Sequence, residues 1–139
     1  MMEKAKSGIQ LRSVFLKKSS LERSQKLTNQ NMRNSKMGIN VACEIEGNLI
    51  HSTVSVEIKH QDETTQEIDF SIQVTMTGEF ERIQTFEEFS LDDNEFGRIN
   101  APSIVYPYIR QHVRALTLDA GINPIILPVI NFVKLYEEG

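Results

Sequence analysis

Three stretches in the first two thirds of the chain alternate apolar and polar residues with a period of two. In Ile39–Gly47 the residues Ile39, Val41, Cys43 and Ile45 share one parity, and Gly47-Asn48 follows as a turn signal. In Leu49–Gln61 the apolar parity is carried by Ile50, Val54, Val56 and Ile58, with His51, Thr53, Ser55, Glu57 and Lys59 on the other. The cleanest alternation is in Glu67–Phe80. There Ile68, Phe70, Ile72, Val74 and Met76 point one way, and Asp69, Ser71, Gln73, Thr75 and Thr77 the other. Alternation of this length predicts antiparallel strands with one face buried and one wet, and the β-branched content agrees. A fourth strand is expected in Ile9–Arg23, where Lys17 and Lys18 suit a sheet edge. Between it and the second strand lies a polar stretch, 24–38, closed by Gly38 and expected to be a long connection.

The pattern changes near residue 98. Asn100 stands as an N-cap, Pro102 in a first turn, and Ile104, Val105, Ile109, Val113 and Leu116 recur at helical spacing up to Gly121, a natural C-terminal stop. Pro107 sits inside this helix and is expected to bend it or loosen its first turn. Beyond it, Pro124 and Pro128 break an apolar run that should be extended, leading into a short terminal helix or turn near Asn131–Glu138. The fold class expected is therefore α+β. A meander of four antiparallel strands would be followed by a long C-terminal helix and a short terminal helix packed on one face.

Composition narrows the function. With 139 residues, 40% hydrophobic and 24% charged, the chain is expected to form one domain over 1–139, with 1–8 as a flexible N-terminal lead. No apolar run is long enough to span a bilayer, no secretory leader is evident, and a single cysteine permits no internal disulfide; cytoplasm is the expected location. Charge is unevenly spread: residues 1–38 hold nine Lys/Arg against two acids, whereas the remainder holds six against seventeen. A basic arm of this kind could touch an acidic protein or nucleic acid. Its basic residues are dispersed and lack interleaved aromatic rings, so nucleic acid is not the expected partner.

Candidate chemistry is sparse. His51 and His60 fall on opposite faces of one strand by parity and His112 lies near the helix seam, so the three are expected to be structural and no metal site is expected. Cys43 shares its face with aliphatic residues and reads as a small core group. The common nucleotide, hydrolase and zinc-protease motifs are absent, so neither an enzyme nor a cofactor is expected. The segment Phe80–Phe96 carries four phenylalanines, Phe80, Phe86, Phe89 and Phe96, among six acids. These rings either finish the core or line a groove for apolar polypeptide segments with acids at its rim. A groove for unfolded chain must show apolar surface without collapsing. Prolines that hold Ile125, Ile126, Leu127 and Val129 extended would provide that.

Several of these residues together resemble a known family. A strand ending Gly78-Glu79-Phe80, then Pro107, Tyr108 and Arg110 in the long helix, then Leu127, Pro128, Val129, Asn131 and Phe132 are similar, in this order, to the SecB-like protein-export chaperones. The resemblance covers residues 68–136 well and the earlier strands by order only. It implies a four-stranded antiparallel sheet backed by the long helix, assembled as a dimer of dimers, and an ATP-independent holdase that binds non-native polypeptides in apolar grooves. It also implies that 24–38 is a crossover connection bordering such a groove, with Leu27, Met32 and Met37 as its apolar contributions. The expected client contacts are then Leu27, Met32, Met37, Phe80, Phe86, Phe89, Ile126, Leu127 and Phe132. Tyr108, Ile109, Val113 and Leu116 are expected to pack the helix or join subunits. Partners implied are unfolded or pre-secretory polypeptides, with the Sec translocation motor or an antitoxin as further candidates. In the export chaperone proper a C-terminal tail docks on the motor, whereas this sequence runs only to Lys134–Gly139. Three readings stay open: export chaperone, a chaperone dedicated to a toxin–antitoxin antitoxin, and a non-catalytic module that binds one folded partner or nucleic acid through the basic arm.

Overall fold

In the computed structural model, which describes residues 8–27, 35–62, 64–83 and 92–138, the alternating stretches form the strands β2 (Ser35–Glu46), β3 (Leu49–Gln61) and β4 (Ile68–Ile83), joined as antiparallel neighbours. Gly47, at φ 61°, makes the tight β2–β3 turn that a side chain would disfavour. The remaining strand, β1 (Gly8–Arg23), pairs antiparallel with β4, so the sheet order is β1-β4-β3-β2. The simple meander expected is thus corrected to a Greek-key arrangement: β1 and β2, neighbours in sequence, occupy opposite edges. Because β2 begins at Ser35, the connection between them spans 24–34 rather than 24–38.

Parity sorts the sheet into two faces. Ile50, Val54, Val56, Ile58, Phe70, Ile72, Val74 and Phe80 are buried on one. The opposite face carries hydroxyl pairs that bond across strands, Thr53 to Thr77 at 2.8 Å and Ser55 to Thr75 at 3.0 Å. One expectation fails at the start of β4. A register shift after His60 leaves Ile68 exposed and turns Asp69 inward, its carboxylate 3.8 Å from the His60 ring. β1 is offset by irregularities at Arg12 and Lys17, and carries lysines as an edge strand should.

Helical structure starts earlier than the sequence suggests. Asp92 is the cap, its carboxylate accepting from the amides of Asn94 (2.8 Å) and Glu95 (3.4 Å). A single turn, α1 (Asp93–Glu95), passes through a π-helical segment, Phe96–Asn100, into α2 (Ala101–Asp119). Asn100 is itself helical and makes no side-chain cap. Pro102 has no amide to offer the carbonyl of Arg98, and the wider turn, in which Ala101 donates to Phe96, accommodates that loss. α2 continues through Pro107 without interruption. It ends where Ile122 N–H bonds the carbonyl of Thr117 and Gly121 N–H that of Leu118, with Gly121 at φ 68°, a Schellman closure.

α2 lies across β3 and β4 with Val105, Tyr106, Ile109, Val113 and Thr117 inward, whereas Ile104 is exposed and Leu116 half-buried. Gly78 allows the approach: a Cβ there would stand 2.6 Å from Val105 Cγ2. The chain then returns over the same face. Ile122, Ile125 and Leu127 are buried, Tyr106 Oη donates to the carbonyl of Pro128 at 2.6 Å, and α3 (Phe132–Glu138) follows with Phe132 edge-on to Tyr106. Asn131 caps α3 by accepting from Lys134 N–H. Each fully buried aliphatic side chain in this layer contributes about 1.5–3 kcal/mol.

Candidate functional site

One long helix and its returning tail cannot cover four strands. β3 and β4 take the cover, and β2, at the edge beyond β3, is left partly bare: Met37, Ile39, Val41 and Cys43 are half-buried and Ile45 is 45% exposed. α3 stands opposite β2 without closing on it. A cleft of about 770 Å³ separates them, lined by Ile39, Asn40 and Val41 on one side and Leu135, Tyr136 and Glu137 on the other. Arg98, from the π-helical segment, adds a guanidinium to the lining.

The shape suits a chain better than a small molecule. Ile39 and Val41 lie two residues apart on a strand, about 7 Å, which is also the side-chain repeat on one face of an extended peptide. β2 is the last strand of its sheet, so alternate main-chain N–H and C=O groups face outward beside the apolar floor. An added strand would satisfy them and drop every second side chain into the cleft.

The chemistry of the lining is that of contact rather than catalysis. Burial pushes the Cys43 thiol up and the Arg98 guanidinium pulls it partly back, so the sulfur is a neutral apolar group at pH 7. Gly97 lets the helical run settle on this strand. A Cβ there would collide with Cys43 Sγ, and the Gly97 carbonyl accepts from Ser52 Oγ at 2.6 Å. The histidines are dispersed. His51 meets Glu79 at 3.0 Å on the hydroxyl face, and His112 meets Ser19 at 2.8 Å between α2 and β1. His60 is fully buried, stacked on Phe70, with Nδ1 at 2.8 Å from Ser35 Oγ. Ser35, His60 and Asp69 repeat the residue types of a hydrolytic triad, but Nε2 lies 3.8 Å from Asp69, beyond hydrogen-bond reach, and no substrate reaches a fully buried ring. Among the described residues no cluster of His, Cys, Asp and Glu could hold a metal ion.

The expected client contacts divide sharply. Met37 lies on the cleft strand, Leu27 packs half-buried against the core at the start of the connection, and Ile126 is 76% exposed on the returning tail. Phe80, Leu127 and Phe132 are core residues, buried beneath α2 and the tail. Met32, Phe86 and Phe89 lie outside the described residues. Of the helix-packing set, Ile109 and Val113 are fully buried against the sheet, Leu116 is half-buried and Tyr108 is exposed. The sequence reading missed Ile39, Val41, Arg98, Leu135 and Tyr136 as a site. The available signal was weak: the apolar parity of β2 looks like that of β3.

The connection 24–34 is held firmly where it leaves β1. The Arg23 guanidinium donates to three carbonyls, Ala120 at 2.7 Å, Ser24 at 2.8 Å and Gln25 at 3.1 Å, while Ser24 N–H bonds Asp69 O. It thereby ties the connection to the C-terminal end of α2. At the far end Ser35 is held by His60.

Comparison with known proteins places this geometry. The family profile described as "Preprotein translocase subunit SecB" matches residues 2–139. The chain is 32% identical to a protein-export protein SecB of Albidiferax ferrireducens over 93% of its length and 83% of that protein. It is 28% identical to that of an Acidovorax species over 93% and 85%. Among solved structures it resembles a SecB-like chaperone of Mycobacterium tuberculosis, determined with an antitoxin peptide, at TM-score 0.70 and 15% identity, covering 88% of this chain and 91% of the other.

Proposed function

Since this chain belongs to the SecB family, a family of non-enzymatic protein-export chaperones, we propose that it holds client polypeptides extended along the β2–α3 cleft. The observation that carries this reading is an apolar sheet face left half-covered beside an open strand edge. Holding by apolar contact and strand addition needs no nucleotide, since neither interaction consumes one. Met37 extends the apolar parity of the cleft strand by one step, and Leu27 and Ile126 remain as further contacts. Residues 1–139 act as one unit in this reading, working in the cytoplasm on pre-secretory chains. Among the described residues no helix is long and apolar enough to cross a membrane.

Self-association as a dimer of dimers belongs to the same proposal. It is supported by apolar residues that the single chain leaves exposed: Leu11, Phe15 and Leu16 on the β1 edge, and Ile104, Tyr108 and Leu118 along the outer stripe of α2. A second reading, a chaperone dedicated to an antitoxin, is favoured by the peptide found in the mycobacterial relative.

The test is suppression of aggregation. The purified protein at near-stoichiometric amounts, without ATP, should keep an unrelated denatured protein soluble at moderate salt, and Val41→Ser with Tyr136→Ser should remove the effect. Suppression confined to one antitoxin would select the dedicated role. No suppression of either kind by a folded sample would overturn both.

A further inference from the structure

A second cleft lies between α2 and the returning tail. About 320 Å³ in volume, it is bounded by Pro107, Arg110 and Arg114 of α2 and by Ile125, Ile126 and Leu127. At roughly 100° per residue, Arg110 and Arg114 stand one turn apart on one flank of α2, about a quarter of a turn from the stripe of Ile104, Tyr108 and Leu118. The cleft adjoins the apolar stripe, with Leu118 one turn beyond Arg114, and shares no lining residue with the β2–α3 cleft.

Its electrostatics are out of keeping with its surroundings. Residues 39–139 hold only six basic side chains among seventeen acids, yet two of the six stand together here. No acidic side chain among the described residues lines the cleft, and neither arginine takes part in an ion pair among those residues. Beside the guanidiniums the floor is aliphatic and rigid. Pro124 and Pro128 restrict the backbone, Tyr106 Oη ties down the carbonyl of Pro128, and Ile126 is left 76% exposed. Two unneutralised arginines one helical turn apart, with Cβ atoms about 6 Å from each other, can each take a carboxylate bidentately. An aliphatic floor next to them fits the apolar side chain that neighbours a carboxylate in an extended segment. Among the described residues no aromatic ring lines the cleft to stack a base, which disfavours nucleic acid.

We propose that this cleft is a second polypeptide-binding site, selective for acidic–apolar segments in which Asp or Glu alternates with aliphatic residues. Its occupant is a partner or client chain of that chemistry. The two sites then differ in what they read: the β2–α3 cleft reads apolar side chains on an extended backbone, and the α2 flank reads negative charge beside them.

The experiment is fluorescence anisotropy with two labelled twelve-residue peptides, one alternating Glu and Leu and its twin alternating Gln and Leu. The acidic peptide should bind at least tenfold tighter at 50 mM salt, with the preference shrinking several-fold by 300 mM. Arg110→Gln with Arg114→Gln should abolish the preference, whereas Val41→Ser in the other cleft should leave it intact. Ile126→Ser touches no core contact and should weaken both peptides alike. It keeps the test open should the double variant fold poorly by circular dichroism. Equal binding of the twins, a preference that survives the arginine substitutions, or one lost with Val41→Ser would each overturn the proposal. So would arginine variants that alter only the sedimentation of the protein itself, because the cleft would then be filled by a second copy.

Discussion

Val54 and Val41 are direct partners across the β2–β3 ladder and point to the same face of the sheet. Both belong to strands of the same apolar–polar alternation. Val54 is completely buried beneath α2; Val41, one strand further out, is half-exposed and lines an open cleft. The difference owes nothing to the residues themselves. It follows from the width of a helix, about 10 Å, against strands spaced about 4.8 Å apart: α2 and its tail cover two strands, and the third is left for something else. Core and binding surface here are one continuous apolar face, divided by where its cover ends.

That division can be broken deliberately. The largest effect is expected from Val54→Asp, which places an unpaired charge in the sealed half. It should cost on the order of 4 kcal/mol and unfold much of the sample in a denaturant titration. The matched Val41→Asp should shift the midpoint by less than about 1 kcal/mol, because water reaches the site, while client binding is lost. Near-equal destabilisation by the two would show that β2 is covered in the isolated protein.

Next in size are the glycines that set how closely helix and sheet approach. Gly97→Ala meets Cys43 Sγ and should destabilise by about 1–3 kcal/mol. Cys43→Ala in the same chain removes the sulfur and should restore most of that loss, a coupling that a double-mutant cycle measures. Gly78→Ala meets Val105 and the Phe80 ring and should cost a similar amount, with no rescue from Cys43→Ala.

Within the open half, Val41→Ser and Tyr136→Ser should each weaken an extended apolar client about tenfold, or about 1.4 kcal/mol, with little change in melting temperature. The smallest effect is kinetic. Because burial raises the Cys43 thiol, its alkylation should follow a pH profile displaced upward from that of free cysteine. Arg98→Gln removes the charge that lowers it, so the profile should move further up, and a bound client should slow the reaction at every pH.

The alternation in Leu49–Gln61 and Glu67–Phe80 was enough to assign strands, faces and the hydroxyl-lined opposite side. The helix, its stop at Gly121 and the break at Pro124 were legible too, since each rests on local geometry that neighbouring residues impose. The motif residues Pro107, Tyr108 and Arg110 carried the family without the fold. Other features depended on residues distant in sequence. The placement of β1 against β4, the shift that turns Asp69 inward, and the entry of the helix at Asp92 are tertiary choices. So is the burial of Phe80, Leu127 and Phe132 beneath α2 and the tail.

What the sequence by itself determined is which side chains share a face, because backbone period is local and strict. Which of those faces would be sealed, and which left open to hold another chain, was decided only by tertiary structure. Coverage is a matter of area, and no pattern along one strand records how far a helix from the other end of the chain will reach.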